Sequence, residues 1–224
     1  MNNEIKDLIM KLGADVCGIA SIERFIDAPK GFHPTDIYPE CNSAIVYGIA
    51  LPKGLTKVDP SLIYGHYNDI AAQQVDLIAF KVAKIIEEKY CGIAVPMPCD
   101  GPYEYWDGER MEGRGLLSMK HAAVLAGLGT IGKSTLLINK KYGNLLTIGV
   151  ILTDLTLEAD PLAESICLAS CSLCIDSCPA NALDGIGANQ MNCRQNTYST
   201  NARGFSTVNC NVCRSVCPMK YGSR

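Results

Sequence analysis

Several things are scarce in this sequence, and each scarcity excludes something. Its three histidines, His33, His66 and His121, are isolated, with no second histidine at metal-ligand spacing, so a histidine-built metal site is not expected. Surface or capping roles suit them better. No apolar run approaches the roughly 18 to 20 residues that a membrane span requires, and stretches such as Leu145 to Leu152 stop well short. The N-terminus has no basic n-region, no uninterrupted apolar stretch and no twin arginine, so a cytoplasmic location is expected. Charge of one sign is nowhere gathered into a block: 20 basic residues face 23 acidic ones, for a net charge of −3. A dedicated nucleic-acid binder usually carries a basic stripe, and its lack argues against a nucleic-acid partner.

Cysteine, by contrast, is abundant, with 12 in 224 residues. In a reducing cytosol such thiols persist as metal ligands or nucleophiles rather than as disulfides. They are unevenly placed. Cys17, Cys41, Cys91 and Cys99 are scattered and read as small buried hydrophobes. The other eight lie between Cys167 and Cys217.

That asymmetry marks a boundary near residue 160. Upstream, Ile5, Leu8, Ile9 and Leu12 recur at helical spacing and stop at Gly13. Val16 to Ala20, Ala44 to Leu51 and Leu145 to Thr153 read as strands. Val75, Ile78, Ala79, Val82, Ile85 and Ile86 keep the period of a long helix. Helices alternating with strands predict a sheet covered by helices over residues 1–160. In residues 161–224 short polar turns punctuated by Cys-Pro predict a small unit organised by metal rather than by apolar area.

The two cysteine groups repeat one another: Cys171-x2-Cys174-x3-Cys178-Pro179 and Cys210-x2-Cys213-x3-Cys217-Pro218. A cubane iron-sulfur cluster needs four converging thiolates, and in two-cluster ferredoxins the last cysteine of each motif serves the other cluster. Applied here, one 4Fe-4S cluster takes Cys167, Cys171, Cys174 and Cys217, and the other takes Cys178, Cys193, Cys210 and Cys213. Paired Cys-x2-Cys motifs also build structural zinc sites, but the Cys-Pro endings and x3 spacing favour iron-sulfur. Cys167 precedes Cys171 by x3 instead of x2; if it is not a ligand, the first cluster is a three-iron species or borrows another thiol. Arg194, Arg203, Arg214 and Lys220 surround these motifs and suit the docking of an acidic electron donor such as flavodoxin or ferredoxin, or are ordinary solvated charge.

Gly127-Leu128-Gly129-Thr130-Ile131-Gly132-Lys133-Ser134 matches both the dinucleotide fingerprint and the phosphate-loop pattern. Both need a preceding strand, whereas Ser118 to Ala126 has helical composition, so nucleotide hydrolysis is not expected. Tyr103, Tyr105, Trp106 and Asp107 form an aromatic, acidic segment, read either as a turn packing its rings on the domain or as a pocket lining with a proton to give.

The run Ala126 to Lys133, followed by Ile151-Leu152-Thr153-Asp154-Leu155 and then the cysteine pattern, resembles the epoxyqueuosine reductase family and, more distantly, the cobalamin-dependent reductive dehalogenases. The resemblance is strongest over residues 118–218. It implies an α+β fold: a nitroreductase-like α/β domain followed by a small two-cluster ferredoxin-like domain. It further implies an oxidoreductase in which electrons pass through both clusters to a corrinoid or substrate, with Gly127, Gly129, Gly132 and Lys133 lining the cofactor cavity. An electron-transfer protein that reduces a partner, such as a corrinoid protein, is the other reading. Two departures stand out. Family members carry an aspartate proton donor in a D-x-x-P segment, which Asp100-Gly101-Pro102 does not reproduce. The chain also reads as a short form without the family's helical C-terminal extension.

Overall fold

The computed structural model describes residues 1–59, 62–101 and 103–223. In chain order the elements begin α1 (Asn2–Lys11), β1 (Val16–Ser21), α2 (Pro34–Ile37), β2 (Ser43–Ala50), α3 (Leu62–Tyr90) and β3 (Ala94–Met97). There follow β4 (Tyr105–Asp107), β5 (Glu112–Arg114), α4 (Met119–Leu125), β6 (Thr130–Ile131), β7 (Leu137–Ile138) and β8 (Leu146–Thr153). Beyond residue 160 lie α5 (Leu173–Asp176), α6 (Gln190–Thr197), β9 (Tyr198–Thr200), β10 (Ser206–Val208) and α7 (Val212–Ser215). Helix and sheet are mixed, as the α+β expectation requires. Among the described residues no helix is long and apolar enough to cross a membrane.

The main sheet has the order β1-β2-β8-β3, with every neighbouring pair antiparallel. Because side chains alternate along a strand, β2 and β8 can bury both faces at once. Ile45, Tyr47 and Ile151 face α1 and α3, where Ile5, Ile9, Val75, Val82 and Ile86 complete one core. Ala44, Val46, Val150 and Leu152 face the opposite side and meet Ala122, Ala123, Ala126 and Leu128 of α4 and the turn after it. The layers are therefore helices, sheet, and a second layer built on α4. The hydroxyl of Tyr47 donates to the carbonyl of Val75 at 2.6 Å and ties α3 to the sheet.

The polypeptide leaves β8 and returns along the free side of β1 at Asp160. The Asp160 amide donates to the Ile19 carbonyl at 2.9 Å, and its carboxylate accepts from the Ile19 amide at 2.8 Å and from Lys6. Arg24 Nη1 donates to the carbonyls of Asp160 and Leu125 at 2.7 and 2.6 Å. These bonds fix where the cysteine-bearing segment starts relative to α4.

Candidate metal centre

The segment from Cys167 to Cys217 folds as short pieces, α5 and α7 packed on each other, with α6 and the β9–β10 hairpin joining them. Cys174 sits within α5 and Cys213 within α7, so the middle cysteine of each motif is carried by one turn of helix. Pro179 and Pro218 follow the last cysteines and end those turns, since proline cannot continue a helix.

The eight thiols fall into two groups of four. Cys167, Cys171, Cys174 and Cys217 line one cavity of about 340 Å3 of empty space, mouth included, together with Lys133, Ser134 and Ile138. Burial raises the pKa of Cys217, and the nearby Cys167, Cys174 and Cys171 raise it further, partly offset by the amide of Met219. Burial likewise raises Cys174, with Cys167 and Cys171 as its charged neighbours. Cys213 is pushed up to about 11, chiefly by burial; Arg214 pulls it down, and Cys193, Cys210 and Cys178 push it up. Its thiol neighbours are thus the other three of the second four. The Ala182 amide points at the Cys178 sulfur at 3.3 Å. Among the described residues no three His, Cys, Asp or Glu side chains are gathered as tightly as a single metal ion needs.

The glycine-rich run lies against this segment. Its Thr130–Ile131 is β6, paired with β7, and Gly132 to Leu136 make the connecting turn, with Gly132 N–H bonded to the Leu136 carbonyl at 2.9 Å. A hairpin preceded by the helix α4 is the reverse of a phosphate loop, which leaves a strand and opens a helix. At Gly127, φ is +75°, and a methyl group there would collide with the Pro161 carbonyl. At Gly129 it would collide with the Ile138 carbonyl, and at Gly132 with the Ile138 side chain, 3.6 Å from Cys167 Sγ. The Lys133 ammonium donates to the carbonyls of Ala169 and Cys171 at 2.6 and 2.9 Å.

A larger cavity, about 1290 Å3 of empty space with its open mouth, lies between the start of α3 and the β9–β10 hairpin. Leu62, Ile63, Tyr67, Tyr198 and Phe205 give it an apolar lining, with His66 and Asp69 as polar groups. None of Gly127, Gly129, Gly132 and Lys133 lines it.

The aromatic segment is the β4–β5 hairpin. Asp107 accepts from the amides of Glu109 and Arg110, both at 3.0 Å, so its carboxylate shapes the turn. Gln190 of α6 exchanges two hydrogen bonds with the backbone of Gly113 and docks the hairpin beside Cys193. Tyr103 and Trp106 stack with centroids 5.9 Å apart, and the Arg194 guanidinium lies 5.2 and 5.1 Å from their rings. Pro102 of the preceding segment lies outside the described residues.

The four cations expected to dock a donor divide. Arg194 is held by aromatics, Lys220 donates to the Ser215 carbonyl at 2.5 Å, and Arg214 has a buried guanidinium nitrogen. Arg203 alone of the four is an exposed residue. Of the upstream cysteines, Cys41 is buried, and burial pushes Cys17 and Cys99 up to about 12. Cys91 departs from expectation. It is exposed with φ +53°, because it occupies the left-handed position that closes α3.

No protein-family model matches the chain. It is 38% identical over 112 residues to the epoxyqueuosine reductase of Lactococcus garvieae, 45% of this chain and 31% of that protein. It is 25% identical over 252 aligned positions to the epoxyqueuosine reductase of Leadbetterella byssophila, covering 100% of this chain and 81% of the relative. The chain is similar to epoxyqueuosine reductases along its whole length. It spans about a third of the Lactococcus protein's length. Its fold resembles that of an epoxyqueuosine reductase solved with a tRNA stem loop, with TM-score 0.68, 18% identity, and 99% and 66% of the two chains covered. It also resembles a catabolic reductive dehalogenase, with TM-score 0.74, 21% identity, and 96% and 31% covered. A third likeness is a reductive dehalogenase whose structure suggests a mechanism for B12-dependent dehalogenation, with TM-score 0.65, 20% identity, and 96% and 31% covered.

Proposed function

We propose that this epoxyqueuosine-reductase-like chain is an oxidoreductase that holds two 4Fe-4S clusters beside a nitroreductase-like α/β domain and delivers electrons one at a time to a reducible centre there. The observation that carries the reading is the division of eight thiols into two fours, each containing the final cysteine of the other motif, Cys217 in one and Cys178 in the other. Soft thiolates in fours suit iron-sulfur, and a shared pair of motifs is the ferredoxin arrangement.

When bound, the clusters would store and relay single electrons, and a corrinoid would supply the centre that reduces substrate. The chain's own residues hold and shield them. Cys167, Cys171, Cys174 and Cys217 hold the first cluster; Cys178, Cys193, Cys210 and Cys213 hold the second. Gly132 lets the β6–β7 turn approach Cys167, and Lys133 keeps the Cys171 loop closed. Gly127 and Gly129 bring the same run close to Pro161 and Ile138. The apolar cavity between α3 and the β9–β10 hairpin is the room on offer for a corrinoid or substrate, since the hairpin joins Cys193 to Cys210.

The relative solved with a tRNA stem loop brings nucleic acid back among the candidate substrates, against the expectation from composition. The exposed rings of Tyr103, Tyr105 and Trp106, with Arg194 and Arg114 against them, are the surface suited to an unstacked base. The second reading, an electron carrier that reduces a partner protein, is favoured by one observation: the family's aspartate donor has no counterpart at Asp100, and Asp107 is spent on its turn.

Anaerobic purification with iron and sulfide analysis, then low-temperature EPR of the dithionite-reduced protein before and after adding cob(II)alamin, separates these. About eight irons per chain with a base-off cobalt signal supports the oxidoreductase. The same iron with cobalamin left free supports the carrier, and bound zinc with little iron sinks both.

A further inference from the structure

Reduction of a thiolate-bound cluster adds a negative charge to a group that is already anionic, so the nearest cations govern how readily the electron is taken up. Two cations lie beside Cys213. Arg214 follows it on α7, and Lys120 on α4 has Cys213 and Arg214 as its charged neighbours. Neither is matched by an acid. Among the described residues the ion pairs are Met1 with Glu4, Lys6 with Asp160, Arg110 with Asp107, and Arg114 with Glu112. Arg214 Nη1 is buried and, among the described residues, has no hydrogen-bond partner. Lys120 Nζ makes one bond, to the Thr135 carbonyl at 2.6 Å, although an ammonium has three protons to give.

Two adjacent cations with a buried orphan N–H are costly unless an anion faces them. The group that faces them is the second thiol set, through Cys213, whose neighbours are Cys178, Cys193 and Cys210. We infer that Arg214 and Lys120 are the built-in counter-charge of the second cluster: Arg214 gives its free N–H to a cluster sulfur, Lys120 adds a positive charge, and together they raise that cluster's reduction potential. The inference rests on the iron-sulfur reading of these four cysteines. One electron leaves a low-potential donor and one is gained at the cluster, with no bond made or broken. Lys133 lines the cavity of the first set with two of its N–H groups given to the carbonyls of Ala169 and Cys171, so its charge acts on the first cluster and is the same in every variant of the test that follows.

The test uses full-length protein loaded anaerobically, as wild type, Arg214→Gln, Lys120→Met, Arg214→Lys, and Arg203→Gln as an exposed control. Iron and sulfide are counted first, and each protein is then titrated potentiometrically with EPR detection, dithionite supplying the electrons. In Arg214→Gln and Lys120→Met one of the two reduction steps moves to lower potential by about tenfold in its equilibrium constant, or about 59 mV for a one-electron couple. The other step stays, Arg203→Gln matches wild type, and Arg214→Lys recovers most of the shift. Should Arg214→Gln hold only half the iron, Lys120→Met is judged alone by the same criterion. Full loading with both steps unmoved overturns the proposal, as does an equal shift of both steps or the same shift in Arg203→Gln. A wild type without iron fails at the first count and overturns the underlying reading instead.

Discussion

The ammonium of Lys133 donates to the carbonyl oxygen of Cys171 at 2.9 Å, so the residue that completes an apparent phosphate-loop motif is spent on closing a cysteine loop. Hydrogen bonds to charged groups contribute about 1.5–3 kcal/mol, and this half-buried lysine makes two such bonds, so Lys133→Met should lose stability at the low end of that range. Its first cluster should also be lost sooner to a chelator, with the second unaffected. Iron release followed by absorbance, with EPR to tell the clusters apart, measures this. ATP and GTP should remain unhydrolysed by both proteins.

The exchange of ligands between motifs can be read from paired variants. Cys217→Ser should lower iron from about eight to about four per chain, and adding Cys171→Ser should lower it no further. Combining Cys217→Ser with Cys213→Ser should remove nearly all of it, although both lie in one motif. If each motif held its own cluster, these two double variants would trade places.

Gly127 combines φ +75° with the Pro161 carbonyl at its Cβ position. A non-glycine residue in the left-handed region costs about 1–3 kcal/mol, before the collision is counted. Gly127→Ala should therefore lower the thermal midpoint by several degrees, at roughly 2–4 °C per kcal/mol for a chain of this size. A midpoint within a degree of wild type would mean that the segment after Asp160 can shift away without loss.

Burial pushes the Cys17 and Cys99 thiols up to about 12. A raised pKa keeps the protonated, unreactive form to higher pH: at pH 8 about one Cys17 in ten thousand is thiolate, whereas an ordinary thiol near 8.5 is about a quarter thiolate. Alkylation of folded, cluster-loaded protein should reach exposed Cys91 first, with Cys17 and Cys99 accelerating about tenfold per pH unit toward 12. Mass spectrometry of peptides labelled at pH 7, 8 and 9 checks the order.

Trp106 is the chain's single tryptophan, and its ring lies 5.1 Å from the Arg194 guanidinium, next in sequence to Cys193. Cluster assembly should quench its emission, and removal of iron should restore it. Gln190→Ala, which removes both hydrogen bonds docking the hairpin on α6, should weaken the quenching without removing iron.

Much of this was legible in the sequence where one physical signal ruled. The period of Val75 to Ile86 marked α3, a short apolar stretch marked β1, and segments rich in Ile, Val and Leu marked β2 and β8, because a helix face or a doubly buried strand leaves its own rhythm. β3 was not legible, since it is four residues long and contains Pro96. The helix before Gly127 was legible from composition, yet the β6–β7 hairpin was not, being two residues per strand and held by a turn. At the site, cysteine spacing marked out two fours, but the counter-charge was hidden: Lys120 lies some 90 residues before Cys213 and looked like any helical lysine. Arg214 read as a donor-docking or solvated charge, because the burial of a single guanidinium nitrogen is set by tertiary packing that leaves no periodic signal.

The bonds of Asp160 with Ile19 have one more effect. Outer strands of a sheet are templates for unwanted pairing with another chain, and proteins blunt them with charge, proline or a covering segment. On the β1 margin Asp160 occupies both backbone groups of Ile19, and on the β3 margin Pro96 withholds a donor. Neither obstruction involves a cysteine, so a molecule that lacks the proposed clusters still presents a sheet with both margins obstructed against pairing with a second chain.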